Sequence, residues 1–206
     1  MKLVNRIAIL AGVMCAPGNA APFTHRVHLK LKPDCTSCHA TVTHSTRVED
    51  NNLPSPAVCR PCHESVSIPP PPQTLLVHFS HEKHLQLGNV APLIAKAIDA
   101  GQYLSPAGDL RQHLNGTNAC LACHRAIDTS DAVSRANMPQ MADCLVCHSK
   151  IELPFSCEQC HGPGAKLRPA DHPPEFLESH SRPEAKFDKT TCALCHGRKF
   201  RCLGCH

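Results

Sequence analysis

The chain has 206 residues and a formal net charge of +4, with no Trp, one Tyr and six Phe against 15 Cys and 16 His. Chains of this length normally fill their interior with large apolar and aromatic side chains, and this one has too few to do so unaided. Its Lys and Arg are scattered rather than gathered, which excludes a nucleic-acid-binding patch, and its cysteine content marks a chain held by disulfides, metal or a covalent group.

In chain order, the first feature is an export signal. Lys2 and Arg6 precede an apolar run from Ile7 to Met14, followed by the small-residue stretch Gly18-Asn19-Ala20, so residues 1–20 read as a signal peptide cleaved after Ala20. Lipid modification at Cys15 is the alternative, disfavoured because Gly12-Val13-Met14 places no small residue directly before the cysteine. The apolar run is too short to cross a bilayer and no later segment is apolar enough. The mature chain is therefore expected to lack a transmembrane segment and to reside in the periplasm or at the cell surface.

Seven Cys-x-x-Cys-His units then use every remaining cysteine: Cys35/Cys38/His39, Cys59/Cys62/His63, Cys120/Cys123/His124, Cys144/Cys147/His148, Cys157/Cys160/His161, Cys192/Cys195/His196 and Cys202/Cys205/His206. A second repeat precedes two of them. Phe23-Thr24-His25-Arg26-Val27-His28 matches Phe79-Ser80-His81-Glu82-Lys83-His84 as Phe-Ser/Thr-His-x-x-His. Between the copies lie four consecutive prolines, Pro69 to Pro72, which favour a stiff extended conformation. The expected organisation is a dihaem module at 21–68, a Pro-rich linker at 69–73 and a pentahaem module at 74–206. One helix is expected from Pro92 to Ala100, with Pro in the first turn, an apolar stripe of Leu93, Ile94, Ala97 and Ile98 packing on haem faces, and Gly101 ending it. With 19 prolines in the chain, the rest reads as irregular coil with short α-helices and little or no β-sheet.

The motif spacing carries the chemistry. Two thiols three residues apart can add to the two vinyl groups of one haem, and the adjacent His reaches the iron from the same side. A single copy could be a zinc half-site or a redox dithiol. Zinc sites pair Cys-x-x-Cys with a second ligand pair, however, and disulfides do not explain a His after every unit. Seven covalently bound haem c groups follow, with His39, His63, His124, His148, His161, His196 and His206 as proximal iron ligands.

Nine other histidines remain: His25, His28, His44, His78, His81, His84, His113, His172 and His180. They suffice to give every iron two imidazoles, which leaves no open position for substrate and suits electron transfer. His25, His28, His81 and His84 rank first because they recur in the repeat. His172 and His180, spare histidines before the sixth motif, come next, and His44 and His113 complete the set. His78 is set aside because Pro22 occupies its place in the first copy, and Met138 and Met141 are read as packing residues.

The Phe-Ser/Thr-His-x-x-His element followed by Cys-x-x-Cys-His resembles the class III multihaem cytochromes c, the small tri- and tetrahaem periplasmic proteins of sulfate- and metal-reducing bacteria. The match covers the haem motifs and both histidine pairs, but not Leu85 to Asn118. The resemblance implies a haem-packed fold with low reduction potentials, in which His25 pairs with His39 and His81 with His124, while His28 and His84 bind other haems of their modules. The expected role is an electron carrier, not an enzyme, between redox partners such as a quinol-oxidising membrane complex and a terminal reductase or outer-membrane conduit. Two alternatives stand beside it: a reductase with one five-coordinate haem, and a subunit of a larger cytochrome complex or filament.

Overall fold

The computed structural model describes residues 23–31, 34–71, 73–114, 116–151, 156–169, 172–180 and 189–196. The expected signal peptide with Cys15, and the seventh motif with Cys202, Cys205 and His206, lie outside the described residues. Those described form α1 (His25–His28), α2 (Pro56–Cys59), α3 (His81–Gln86), α4 (Ala91–Asp99), α5 (Leu110–His113), α6 (Met141–Ile151), α7 (Phe176–His180) and α8 (Lys189–His196), with single 3-10 turns between them. Among them no β-strand occurs, only an isolated bridge between Leu76 and His161. The coil-rich, short-helix architecture expected of so many prolines and motif turns is the one observed.

Local chemistry sets most element starts. Thr24 and Ser80 cap α1 and α3, their hydroxyls accepting from the Val27 and Lys83 amides at 3.2 Å. Helix α4 begins with Pro92 in its first turn, and Gly101, at φ +62°, leaves it in the left-handed region with its amide on the Ile98 carbonyl at 2.8 Å. The helix runs one residue earlier at each end than the sequence implies.

The core joins the stretch that the family resemblance does not cover to α6. Ile94, Ala97, Tyr103, Leu110, Ala142 and Val146 form a buried cluster, with Ile98, Leu114, Cys147 and Leu194 packed against it. The α4 stripe packs against α6 and the 102–114 segment. Leu93, assigned to that stripe, is 51% exposed, because position 93 falls on the solvent side of the arc set by Ile94 and Ala97. Among the described residues ten hydrophobic side chains are buried, four of them alanines, and no large one is fully buried. Protein atoms alone therefore supply little hydrophobic stabilisation.

A buried polar cluster supports this core. Tyr103 donates from its hydroxyl to Asp143 Oδ1 at 2.8 Å, and Arg125 pairs with Asp143, the two charged side chains being only 8% and 3% exposed. Burial, then the Asp143 carboxylate, pushes the Tyr103 hydroxyl pKa far up. Asn137 Nδ2 donates to the Arg125 carbonyl at 2.9 Å, tying the third motif to the turn before α6.

The segments before and after the prolines touch directly. Arg26 of α1 donates its amide to the Ser130 carbonyl at 3.2 Å and its guanidinium to Asp131 at 2.6 Å. In a second such contact, the Glu82 amide and the Ser80 hydroxyl of the α3 turn both donate to the Ser45 carbonyl, at 3.0 and 3.3 Å.

Candidate haem sites

Each Cys-x-x-Cys-His unit inside the well-described segments is one turn of helix. The His amide donates to the carbonyl of the first Cys at 2.9 Å in the first motif, 3.0 Å in the second, 2.8 Å in the third and 2.9 Å in the fifth. The fourth and sixth motifs lie within α6 and α8. Residues i, i+3 and i+4 share a helical face, so this turn presents both thiols and the imidazole to one side. Asp34, Ser55 and Asn118 cap the first three turns, their side chains accepting from the Thr36, Ala57 and Cys120 amides.

None of the twelve described motif cysteines is joined in a disulfide, and their surroundings differ. Cys62, Cys157 and Cys195 are exposed, whereas Cys35, Cys38, Cys59, Cys120, Cys123, Cys144, Cys147, Cys160 and Cys192 are half-buried. Cys147 packs against the protein core. Cys38, Cys62 and Cys160, expected as haem attachment points, are not among the residues packed against that core. Backbone bonds fix these three positions. The Cys38 and Cys62 amides donate to the Cys35 and Cys59 carbonyls at 3.2 and 3.1 Å, and the Cys160 carbonyl accepts from the Val77 amide at 2.8 Å. Cys38 Sγ also lies 3.9 Å from Ser37 Oγ. Burial, and then neighbouring thiols or Asp143, push the Cys120 and Cys144 thiols up to about 11. Burial likewise raises the Cys123 and Cys195 thiols.

The two copies of the histidine repeat fold alike. Phe23 stacks on His28 at 4.4 Å and meets His25 edge-on at 4.9 Å; Phe79 stacks on His84 at 4.6 Å and meets His81 edge-on at 4.8 Å. His28 Nδ1 donates to the Thr24 carbonyl at 2.8 Å and His84 Nδ1 to the Ser80 carbonyl at 2.7 Å. With the proton held at Nδ1, the Nε2 lone pair is left for a metal.

Opposite these rings stand motif histidines. His25 faces His39 with ring centres 6.3 Å apart and planes 14° apart; His28 faces His63 at 6.1 Å and 35°; His84 faces His148 at 6.2 Å and 37°. Two in-line imidazole–metal bonds of about 2.0–2.1 Å put ring centres about 6 Å apart, so these gaps fit one metal ion between each pair. His81 lies near His124, whose charge opposes its own. Burial, ahead of repulsion from neighbouring histidines, lowers the pKa of His25 and of His81, and burial lowers that of His124. The neutral form is the one that can ligate.

No protein-family model, curated protein or solved structure matches the chain. The fit of the residues to haem therefore rests on their own geometry: two cysteines and a histidine on one face of each described motif turn, and imidazoles meeting in twos across a metal-sized gap. Among the described residues no three His, Cys, Asp or Glu side chains come together as a conventional metal cluster.

The other expected ligands are placed as follows. His161 donates from Nδ1 to the Leu75 carbonyl at 3.1 Å, beside the Leu76–His161 bridge. His172 stacks on Phe176 at 4.1 Å. His44 ends a 3-10 turn, Ala40–His44, and His113 Nε2 lies 3.3 Å from Asp109. His196 closes α8, while His180 closes α7 with its side chain outside the described residues. His78 is exposed.

Sequence reading missed the groups that hold these rings. Asn118 joins two motifs, its Nδ2 lying 3.6 Å from Cys35 Sγ while its Oδ1 caps the turn of Cys120. An Asn directly before Ala119-Cys120 is a legible capping signal. Ser45 and Asn52, which contact the imidazoles of His81 and His39, carry no such signal.

Proposed function

We propose that the chain is an exported heptahaem c-type cytochrome that carries electrons between redox partner proteins, from a quinol-oxidising membrane complex to a terminal reductase or outer-membrane conduit. The observation that carries this reading is the facing of motif and repeat imidazoles across gaps of 6.1 to 6.3 Å. A haem so held exchanges one electron at its iron and has no vacant axial position for a substrate.

The chain's own residues do the positioning. The motif turns present paired thiols and a proximal imidazole, the capped helices α1 and α3 present the opposite imidazoles, and the Nδ1 bonds hold the tautomer that leaves Nε2 free. Each short helix carries two such rings, so α1 links the first and second motifs, and α3 the third and fourth. Sites that share one short helix are neighbours, as a chain of one-electron centres requires.

Intact mass of the purified protein under denaturing conditions tests the reading. An increment equal to seven haems is expected, one for each motif. Fully matured protein carrying five or fewer would overturn it.

A further inference from the structure

The sites of the first and third motifs each contain a buried imidazole whose Nδ1 has no aligned hydrogen-bond partner: His25 opposite His39, and His124 beside His81. At His124 the Asn137 backbone offers a partial bond that raises the pKa against the larger lowering by burial. The other ring of each site is anchored, and both anchors come from one loop. His39 Nδ1 donates to the Asn52 carbonyl at 2.8 Å, and His81 Nδ1 lies 3.5 Å from Ser45 Oγ. The second and fourth sites differ, since His28 and His84 bond to the caps of their own helices.

The loop from 45 to 52 is internally braced. Asn52 Nδ2 donates to Ser45 Oγ at 3.0 Å, and the Ser45 hydroxyl donates to the Arg47 carbonyl at 3.4 Å. The Asp50 carboxylate accepts from the Thr46 and Arg47 amides, both at 2.9 Å. Ser45 is 3% exposed, and its one hydroxyl proton has the Arg47 carbonyl and the Asp50 carboxylate to donate to. Its oxygen is left to accept from both Asn52 and His81.

We propose that Ser45 is a positioning residue for the third haem site: its hydroxyl oxygen accepts from His81, while Asn52 of the same 45–52 loop bonds to that oxygen and holds His39 of the first site through its own carbonyl, so that one loop sets axial imidazoles on both sides of the boundary between the two modules. The proposal rests on the haem reading above. An acceptor on Nδ1–H makes an imidazole a stronger donor to its metal and so favours the oxidised iron. Removing the acceptor should make that haem easier to reduce.

The test uses holoprotein variants read by potentiometric titration and electron paramagnetic resonance. Ser45→Ala should keep seven haems, all low-spin, and shift the reduction equilibrium of one haem about fivefold towards the reduced form, as loss of a hydrogen bond of about 1 kcal/mol would. Ser45→Thr, which keeps the hydroxyl, should restore the wild-type titration. Asn52→Ala, which frees the Ser45 oxygen and loosens the carbonyl that holds His39, should move two haems. In a His81→Ala background the Ser45→Ala shift should vanish, because the ring it acts on is gone. The proposal is overturned if Ser45→Ala leaves potentials and resonance signals unchanged, or if its shift persists undiminished without His81. Wild-type protein without covalent haem would instead overturn the reading beneath it.

Discussion

At the scale of single residues, two kinds of buried polar group do different work. Arg125 and Asp143 form an ion pair almost wholly out of water, with Tyr103 donating to the same carboxylate. Removing one partner leaves the other charge buried and unmatched, which costs more than the pair itself contributes. Asp143→Asn is therefore expected to destabilise the protein by about 3–5 kcal/mol, and Tyr103→Phe by about 1 kcal/mol, measured by denaturant unfolding of both variants. The ligand histidines should respond in their spectra. His84 faces His148 across a metal-sized gap, whereas His78 is exposed. His84→Ala should convert one haem to a high-spin form in electron paramagnetic resonance, and His78→Ala should convert none. The reverse pattern would mean that the two histidine repeats are aligned wrongly.

At the scale of elements, short helices depend on their ends, because few internal hydrogen bonds are available to offset a bad terminus. Helix α4 ends through Gly101 at φ +62°, and nothing lies within 4 Å of where a Cβ would stand. The cost of adding a methyl there is thus purely conformational. Gly101→Ala should destabilise the protein by about 1–2 kcal/mol in thermal or denaturant melts, with haem content unchanged. Ends such as this were legible in the residues, since Pro92, Gly101, Ser80 and Thr24 are local signals whose effect spans three or four positions. The direction of the α4 stripe was not fully legible. Leu93 satisfied the helical pattern as well as Ile94 did, and only packing against Ala142 and Val146 decides which side is inside.

At the scale of the whole molecule, the small protein core and the ring gaps point the same way. Four of the ten buried hydrophobics are alanines, so the described residues bury little apolar surface without a further group to pack on. On the proposed haem reading, the nine histidines outside the motifs suffice to give a second ligand to each of seven irons. The reduced protein should therefore bind little carbon monoxide, which needs an open or weakly held iron position, and should turn over neither nitrite nor hydroxylamine. Substantial carbon monoxide binding at one haem, together with steady-state reduction of either substrate, would favour the reductase over the carrier. Among the described residues no helix is long and apolar enough to cross a membrane.

What the sequence determined by itself is local: the seven motifs, the repeat that places His25 and His28 like His81 and His84, and the caps that start their helices. Relations at i, i+3 and i+4 need only one helical turn, so residue identity at fixed spacing is enough to specify them. The tertiary structure decided what lies side by side. Ser45 reaches His81 across 36 positions, and Asn118 reaches Cys35 across 83. Spacing likewise makes Cys38, Cys62 and Cys160 equivalent to Cys147, yet only Cys147 of these four packs against the core. Nothing in any of these neighbourhoods announces the other, because such contacts depend on how whole segments pack. The same holds for α6 as the partner of α4: the stripe predicts that something apolar covers it, and only packing selects another helix to do so.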